Sequence, residues 1–404
     1  MINPSANGWI DKFFLTEKPW LFPVEDNIID LYEKIRETGF IYGHIVSISS
    51  YSTIVIDGWI ESEISKVALL NNLFCIYSTT LKDNNQIVFV KKTIDFYDKM
   101  NPQKFNFFEK VLPNSNTSIT LEKIIDNRVQ TNVDVINKKF SHISTNALLF
   151  IDVLAFRQYL IHGEIPEKYL LKIEEVIINI VSLALNTKSN KTNYDALLIK
   201  LFESSVRYSK FSKVNFNKGN IGIEQLGLDF FTNELEKYYF IDMAGLSLWS
   251  DGVIEKNEAY FLHRLADFID VSDDFVNKSI IKTDEFISKN KNEISYFNYS
   301  NPVKHFYDHT SQTVTKLISR NKKRLIKEIT QSKELMDLLV NSTRRDLNET
   351  EKKKVKKQLL DICKSIPSLT IFLLPGGSLL LPILVKFIPT LLPTAFNENL
   401  DLDE

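Results

Sequence analysis

Acidic residues that follow a glycine turn are the first candidates for chemistry in this chain. Asp251 precedes Gly252, and Glu255 and Glu258 follow them at helical spacing. Hard divalent cations prefer several oxygen ligands held close together, so these three carboxylates are candidate metal ligands. The same residues also suit the start of a helix, where a capping aspartate and early glutamates complement the positive end of the helix dipole. We favour capping, with the metal site as the alternative.

Two other groups have spacings that a metal site could use. The segment Asp267–Phe275 carries four carboxylates, and Ser272 within it indicates a helix cap rather than a ligand cluster. His305 and His309 lie one helical turn apart with Asp308 between them, a spacing that can hold a metal on one helix face. Because basic residues border this helix, an ordinary surface is the simpler interpretation.

Common catalytic patterns are absent from the sequence. The chain lacks H-E-x-x-H, the Walker A pattern, G-x-G-x-x-G, G-x-S-x-G and the spacing of an EF-hand loop. We therefore expect a protein that is not an enzyme and has no cofactor, apart from a divalent cation at the three carboxylates above.

The elements that must position these residues are predicted to be helices. A chain of 404 residues exceeds the usual size of a single core, so two or three packed units are expected. Hydrophobic residues make up 44%, while glycine and proline number only 12 each, which favours helices over disorder. Two cysteines cannot form a disulfide framework or a tetrahedral zinc site, so a reducing compartment is expected. The N-terminus has no signal-peptide pattern, which indicates a chain that begins in the cytosol.

Helical spacing dominates the first section, residues 1–140. Ile29, Tyr32 and Ile35 recur at three-residue intervals before Gly39 ends the pattern. The β-branched residues that flank 83–85 would also suit a hairpin. The patterns on either side have the longer, helical period, so we predict a mixed, mainly helical region without catalytic geometry.

Residues 141–300 are predicted to be a duplicated helical region. F-I-D at Phe150 and F-I-D at Phe240 each open an apolar helix that is followed by a glycine turn and an acidic helix start. Because the shared tripeptide is short, chance similarity is the alternative. The second copy resembles the TerB-like helical domain, whose A-D-G turn and acidic pair have counterparts in Asp251 and the two glutamates after it. This resemblance implies divalent-metal binding, whereas His162 in place of the aspartate indicates a structural role for the first copy.

Positive charge is concentrated near the C-terminal end. The stretch from Lys316 to Lys364 holds 15 Lys and Arg against 7 Asp and Glu, a local charge of +8 that leaves the remainder at −10. A basic block beside an apolar segment fits the positive-inside rule and attraction to anionic headgroups. A solvated helix face or a nucleic-acid patch is the alternative. The lysines expected to contact headgroups are Lys352, Lys353, Lys354, Lys356 and Lys357.

The segment that follows, Ser365–Phe396, is the most apolar part of the chain. Its first 21 residues carry no charge, which is long enough for a bilayer-spanning helix of about 20 residues. Five of the twelve prolines lie in it, and Pro375 stands beside two glycines in its middle. Because proline removes a helix hydrogen bond, two helical pieces with a break are expected rather than one rod.

This succession resembles the membrane-entry region of the LETM family, the leucine-zipper and EF-hand transmembrane proteins of the mitochondrial inner membrane, and especially its LETM-related biofilm-associated relatives in bacteria. The resemblance covers about the last hundred residues, from Asn301 onward. The family pattern is a basic turn, a Q-L-L-x-x-C helix, a proline-flanked apolar segment and a final L-P-x-x-F. Its counterparts here are Arg344, Arg345, Gln358, Cys363, Pro367, Pro375, Pro382, Lys386, Pro389, Pro393 and Phe396.

Two departures limit what the resemblance implies. Ser378 stands where the mitochondrial proteins carry a glutamate, and a hydroxyl cannot change its charge as a residue that handles cations or protons would. The family also continues past L-P-x-x-F into a long soluble domain described as ribosome-binding, whereas eight residues follow Phe396 here. We therefore expect ribosome binding by analogy to lack the part of the family that carries it.

Together these patterns predict a non-enzymatic, mostly all-α LETM-related protein of three regions, 1–140, 141–300 and 301–404. It is expected to be a helical bundle with an internal duplication and a proline-rich C-terminal hairpin, on the cytoplasmic side of the inner membrane. The resemblance implies roles in ion homeostasis, the envelope or biofilm scaffolding. Expected partners are membrane lipid, with the ribosome or a second copy of the chain as further candidates and no specific nucleic acid. The residues expected to contact the membrane are Pro367, Phe372, Pro375, Pro382, Lys386, Phe387, Pro389, Pro393 and Phe396.

A different class of protein remains as the alternative. The chain would then be a soluble, cytoplasmic TerB-like module that responds to a metal or binds a protein. The apolar tail would be a buried helical pair that satisfies its backbone groups inside the protein.

Overall fold

The computed structural model describes residues 2–18, 25, 27–100, 117–129, 148–188, 195, 202, 222–249, 255–294 and 302–369. For 302–313 and 343–344 it describes the backbone alone. Within these ranges the chain folds into thirteen α-helices and no strand, which confirms the all-α prediction. The duplication stays a prediction, and the C-terminal hairpin lies outside the described residues.

The helices are numbered here in chain order. They are α1 (Trp9–Glu17), α2 (Ile28–Glu37), α3 (Glu61–Leu81), α4 (Gln86–Met100), α5 (Thr117–Val129), α6 (Phe150–His162), α7 (Tyr169–Thr187), α8 (Glu234–Leu248), α9 (Lys256–Phe268), α10 (Asp273–Asn290), α11 (Pro302–Gln331), α12 (Lys333–Arg344) and α13 (Glu349–Ser365).

The chain divides into two compact units. The first unit comprises Met1–Ile56 and Ser62–Ser300, and the second comprises Asp57–Glu61 and Asn301–Glu404. The larger segment of the second unit starts at Asn301, and the unit also takes in five residues from early in the chain. The predicted regions 1–140 and 141–300 lie together in the first unit.

Helix α8 is the centre of the first unit. Twelve of its fifteen residues are buried, and it packs against α2, α7, α9 and α10. A helix that is buried around most of its circumference must lie inside the core, which explains why its sequence shows little amphipathic pattern. A second group of helices in this unit is linked by contacts of α4 with α5 and α6 and of α1 with α5. The buried ring of Phe89 on α4 contacts Phe14 on α1, Phe74 on α3 and Phe156 on α6.

Local capping signals set where several helices begin and end. Asn85 accepts hydrogen bonds from the backbone N–H groups of Ile87 and Val88, so the turn after α3 starts a second helix rather than a hairpin. Ser272 caps α10 through the N–H of Phe275, as predicted. Gly39 follows α2 with φ 77°, and a Cβ there would lie 2.0 Å from the carbonyl oxygen of His44. Only glycine fits that position without displacing the backbone.

Two buried aspartates hold the helices of the first unit together. Asp152 on α6 is fully buried and accepts two hydrogen bonds, both 2.6 Å long, from the guanidinium of Arg128 on α5. Tyr97 on α4 donates a third hydrogen bond of 2.9 Å to the same carboxylate. This forked pairing satisfies both carboxylate oxygens away from water, as a buried charge requires.

Asp242 on α8 has the equivalent position in the second F-I-D sequence, and it is also fully buried. Tyr32 donates a hydrogen bond of 2.5 Å to it, Arg36 lies 3.3 Å away, and Ser279 donates a third hydrogen bond. Burial raises the pKa of Asp242, and the Arg36 guanidinium opposes that shift. Both F-I-D aspartates therefore pair with an arginine and a tyrosine, although the donating helices differ.

Glu236 in the first turn of α8 is a third buried carboxylate. It accepts hydrogen bonds from Tyr169 at 2.6 Å, from Gln158 at 2.8 Å and from the N–H of Asn233 at 3.3 Å. Burial nevertheless raises the pKa of Glu236, because desolvation of the carboxylate outweighs these donors. Its folded form therefore holds a proton more tightly than the unfolded chain does.

We expect Glu236→Gln to gain stability relative to the wild-type protein as the pH rises. A carboxyl group with a raised folded-state pKa contributes stability that is fully present below its unfolded pKa, about 4.3, and is lost as the pH rises through its folded pKa. Glutamine does not titrate, so the variant avoids that loss. Urea unfolding of both proteins at about pH 4 and pH 7 measures the difference. Glu234→Gln, at an exposed site in the same turn, should show no such trend, and an equal trend in both variants would contradict the assignment.

The second unit is built from α11, α12 and α13 around one apolar core. Ser332 ends the first of these helices and caps the next, accepting a hydrogen bond from the N–H of Leu335. Asn348 and Glu351 form a capping box at the start of α13, with both hydrogen bonds 2.9 Å long. The buried side chains of this core include Leu317, Leu325, Leu335, Leu339, Val355, Leu359 and Cys363, with Ile60 from the early segment.

Candidate functional site

Helix α13 is amphipathic and carries the five lysines that are predicted to contact lipid headgroups. Val355, Leu359, Ile362 and Cys363 are its buried residues, spaced by three or four positions so that they share one face. All five of the predicted lysines are exposed: Lys352, Lys353, Lys354, Lys356 and Lys357. The apolar face holds the helix in the second unit and leaves the lysines at the surface.

Intramolecular ion pairs engage two of these five lysines. Lys352 pairs with Glu349 at 3.0 Å on the same helix, and Lys354 pairs with Glu334 on α12 at 2.7 Å. Lys353, Lys356 and Lys357 form no ion pair within the described residues. Their charges are therefore available to an external anion.

The start of α13 is fixed by the basic turn that the sequence analysis singled out. Arg345 donates two hydrogen bonds to Glu351, at 2.8 and 2.6 Å, in a forked arrangement. These bonds lower the pKa of Glu351 to about 2, so the pair stays ionised at physiological pH. Arg344 ends α12, and its side chain lies outside the described part of the structure. This ion pair and the capping box together orient the first turn of the helix that bears the lysines.

The end of α13 passes into the predicted membrane-contacting segment. Pro367 lies in a short 3₁₀ turn after the helix and is half-buried. Its neighbours Ile366 and Leu369 are buried in the core of the second unit. The other predicted membrane contacts, from Phe372 to Phe396, lie outside the described residues. The first residues of the apolar segment therefore pack against protein.

The predicted metal ligands are only partly placed by the structure. Glu255 is exposed at the N-cap of α9, and its N–H donates a 2.8 Å hydrogen bond to the buried carboxylate of Glu258. This is the capping arrangement that the sequence analysis favoured. Asp251 lies outside the described residues, and no cluster of three or more acidic, histidine or cysteine ligands occurs within them. His305 and His309 both lie on α11, whose side chains at those positions are not described.

A bilayer-spanning helix needs about 20 mostly apolar residues, a requirement that applies to each helix the structure describes. None of them is both long and apolar enough to cross a bilayer.

Comparison with known proteins identifies the region that contains α13. Residues 347–404 match the family model described as LETM1-like, RBD, the ribosome-binding domain of that family. The sequence analysis expected a ribosome-binding domain only after Phe396, and the match corrects this expectation because it lies within the chain and begins just before α13. No curated protein and no solved structure matches the chain. The predicted TerB-like segment stays a prediction. The LETM-family assignment made from the tail is therefore confirmed over residues 347–404, the part of the chain that carries the LETM1-like, RBD match.

Proposed function

We propose that the protein is a non-enzymatic, LETM-related ribosome-binding protein that contacts ribosomal RNA through the exposed lysines of α13. The observation that carries the proposal is the overlap of two features. The match to a ribosome-binding domain family begins at residue 347, and the helix that follows exposes Lys353, Lys356 and Lys357. These three lysines form no ion pair with any part of the chain that the structure describes.

The physical basis is attraction between lysine side chains and backbone phosphates. Each phosphate that a lysine neutralises releases condensed counterions, so binding is strong at low salt and weakens as salt rises. Lys353 and Lys357 lie one helical turn apart on the same face, and Lys356 flanks them. Such contacts position a protein on RNA without reading its sequence. The proposed contact with RNA goes beyond the sequence analysis, which expected the ribosome as a further candidate partner and no specific nucleic acid.

Co-sedimentation tests the proposal directly. The purified full chain, mixed with ribosomes from its native host, should pellet with them through a sucrose cushion at low potassium chloride. The bound fraction should fall steeply as salt rises from about 50 to 200 mM, because the contacts are to phosphate. Failure to pellet at the lowest salt, or binding that does not respond to salt, would contradict it.

Attachment to an anionic membrane is the second candidate function. The observation that favours it is the order of the sequence, because the basic helix α13 ends at Ser365, which is the first of 21 residues without charge. In this case the lysines would lie among headgroups on the cytoplasmic side of the inner membrane. The two functions are compatible in one molecule, since family-level ribosome binding and an apolar tail belong to the same matched segment.

Membrane fractionation of the native host tests this second function. The full chain should stay with the membrane after carbonate washing, because an inserted apolar segment resists the removal of electrostatic contacts. The double substitution Phe372→Asp and Phe387→Asp should release it, because each charge is costly in a bilayer core. Release of the wild-type chain by carbonate would leave ribosome binding as the function and exclude an inserted tail.

A further inference from the structure

Helix α11 carries a concentration of positive charge that the lysines of α13 do not account for. Six of the twelve residues from Lys316 to Lys327 are Lys or Arg, and none of the twelve is acidic. This stretch lies outside residues 347–404, the part of the chain that matches the family model. A role for these charges must therefore be argued from α11 itself.

Four of these cations form a row along one face of α11. Lys316, Arg320, Lys323 and Lys327 follow one another by three or four positions, and all four are exposed. At 1.5 Å per residue the row is about 16 Å long. It lies opposite the face that packs into the core of the second unit, because at 3.6 residues per turn these positions are about half a turn from the buried ones. The buried residues of α11 are Val314, Leu317, Ile318, Asn321, Leu325 and Ile329.

The row does not stabilise the helix that bears it. Like charges three or four residues apart repel one another and destabilise a helix. Lys316, Lys323 and Lys327 form no ion pair or side-chain hydrogen bond within the part of the chain that the structure describes. The first turn of α13 differs, because its glutamates pair with Lys352 and Arg345. An ordinary solvated helix mixes the two signs in this way. The α11 row therefore calls for negative charge from outside the chain.

The exposed face of α11 has the chemistry of a phosphate-binding surface. Lys, Arg, Ser, Thr and Gln are side chains that donate hydrogen bonds to backbone phosphates of nucleic acids. Helices that bind membrane interfaces also insert Trp, Phe or Leu, and sites for single strands stack bases on aromatic rings. Within 314–331 no exposed side chain is apolar or aromatic. The exposed residues beside the cations are Thr315, Ser319, Thr330 and Gln331.

We infer that the α11 row binds the phosphate backbone of double-helical RNA. Successive phosphates of one strand are about 3.4 Å apart along the axis of a DNA duplex, so a row of about 16 Å covers several phosphates of a nucleic-acid helix. The choice of RNA rests on the proposed function, since a ribosome presents RNA helices at its surface. The α11 row is then a second contact surface, outside the family match, that reads no base sequence.

Fluorescence anisotropy of the full chain with a labelled RNA duplex of about 20 base pairs tests the inference. Lys316→Gln, Lys323→Gln and Lys327→Gln together should weaken binding about tenfold at low potassium chloride, and the salt dependence should become shallower by about 2–3. The melting temperature should stay the same or rise, because repulsion between like charges is relieved.

A charge-matched control separates position from net charge. Lys91→Gln, Lys256→Gln and Lys289→Gln remove three exposed lysines of the first unit, and this triple should weaken duplex binding less than about threefold because salt screens distant charges. Equal weakening by the two triples would overturn the inference. So would an α11 triple that weakens binding to phosphatidylglycerol vesicles and leaves binding to the RNA duplex unchanged, because the row would then belong to lipid.

Co-sedimentation with ribosomes distinguishes failure of this inference from failure of the proposed function. If the wild-type chain pellets with ribosomes while the α11 triple binds the RNA duplex as the wild type does, the inference is wrong and the proposed function stands. If the α11 triple weakens duplex binding although the wild-type chain does not pellet with ribosomes, the inference stands and the proposed function is wrong.

Discussion

Replacing Asp152 by alanine is expected to lower the free energy of unfolding of the first unit by about 3–5 kcal/mol. The carboxylate is fully buried and accepts both arms of the Arg128 guanidinium at 2.6 Å. Its loss removes both hydrogen bonds that the guanidinium of Arg128, only 8% exposed, donates to that carboxylate. Breaking a buried ion pair by removing one of its two partners costs far more than an ordinary surface substitution.

Urea unfolding in a Trp59→Phe background measures this loss, because Trp59 belongs to the second unit while Trp9 and Trp249 belong to the first. Asp98→Ala, at an exposed aspartate of α4, should change stability by less than about 0.5 kcal/mol. The double variant Asp152→Ala with Arg128→Met should recover part of the loss, since it replaces both halves of the buried ion pair. Equal losses from Asp152→Ala and Asp98→Ala would show that the ion pair is unimportant.

Neutralising three lysines of α13 is expected to weaken ribosome binding about tenfold or more. The triple variant removes three exposed positive charges from α13, through Lys353→Gln, Lys356→Gln and Lys357→Gln. Within the described residues, none of these three lysines forms an ion pair. One exposed charge pair is worth up to about 1 kcal/mol, so the loss of three costs up to about 3 kcal/mol, and about 1.4 kcal/mol corresponds to tenfold in affinity. The dependence of log affinity on log salt should also become shallower by about 2–3, close to one per phosphate contact.

A charge-matched control distinguishes this site from general attraction. Lys91→Gln, Lys256→Gln and Lys289→Gln remove the same three charges from exposed positions of the first unit. Net charge is then equal in the two triple variants, so a difference in ribosome binding must come from position. Equal weakening by both triples would mean that only net charge matters, and it would remove α13 as the binding site.

Local patterns predicted much of the fold. The spacing of Tyr32 and Ile35 marked a buried helix face, and Ser272 marked a cap, because both features depend on residues a few positions apart. Val355 and Leu359 are apolar and four residues apart, so they lie on one face of α13. The lysines between and beside them therefore lie on the exposed face. Such features are set by neighbours in the sequence, so the sequence alone indicates them.

Long-range pairing could not be predicted in the same way. Asp152 stood within the recognised F-I-D sequence, but its partner Arg128 lies on another helix, and nothing in its local spacing indicates the pairing. Lys354 likewise pairs with Glu334, twenty residues away, which no local pattern indicates. Lys352 instead pairs with Glu349, three residues away on the same helix, a spacing that can be recognised in the sequence.

Photo-crosslinking in the native host tests the central claim most directly. A photoreactive amino acid at position 353 of the full chain should crosslink to ribosomal RNA or a ribosomal protein on illumination of living cells. The same amino acid at position 91 in the first unit should give little of that product. Crosslinking from position 353 to lipid alone, or equal ribosomal products from both positions, would contradict ribosome binding through α13.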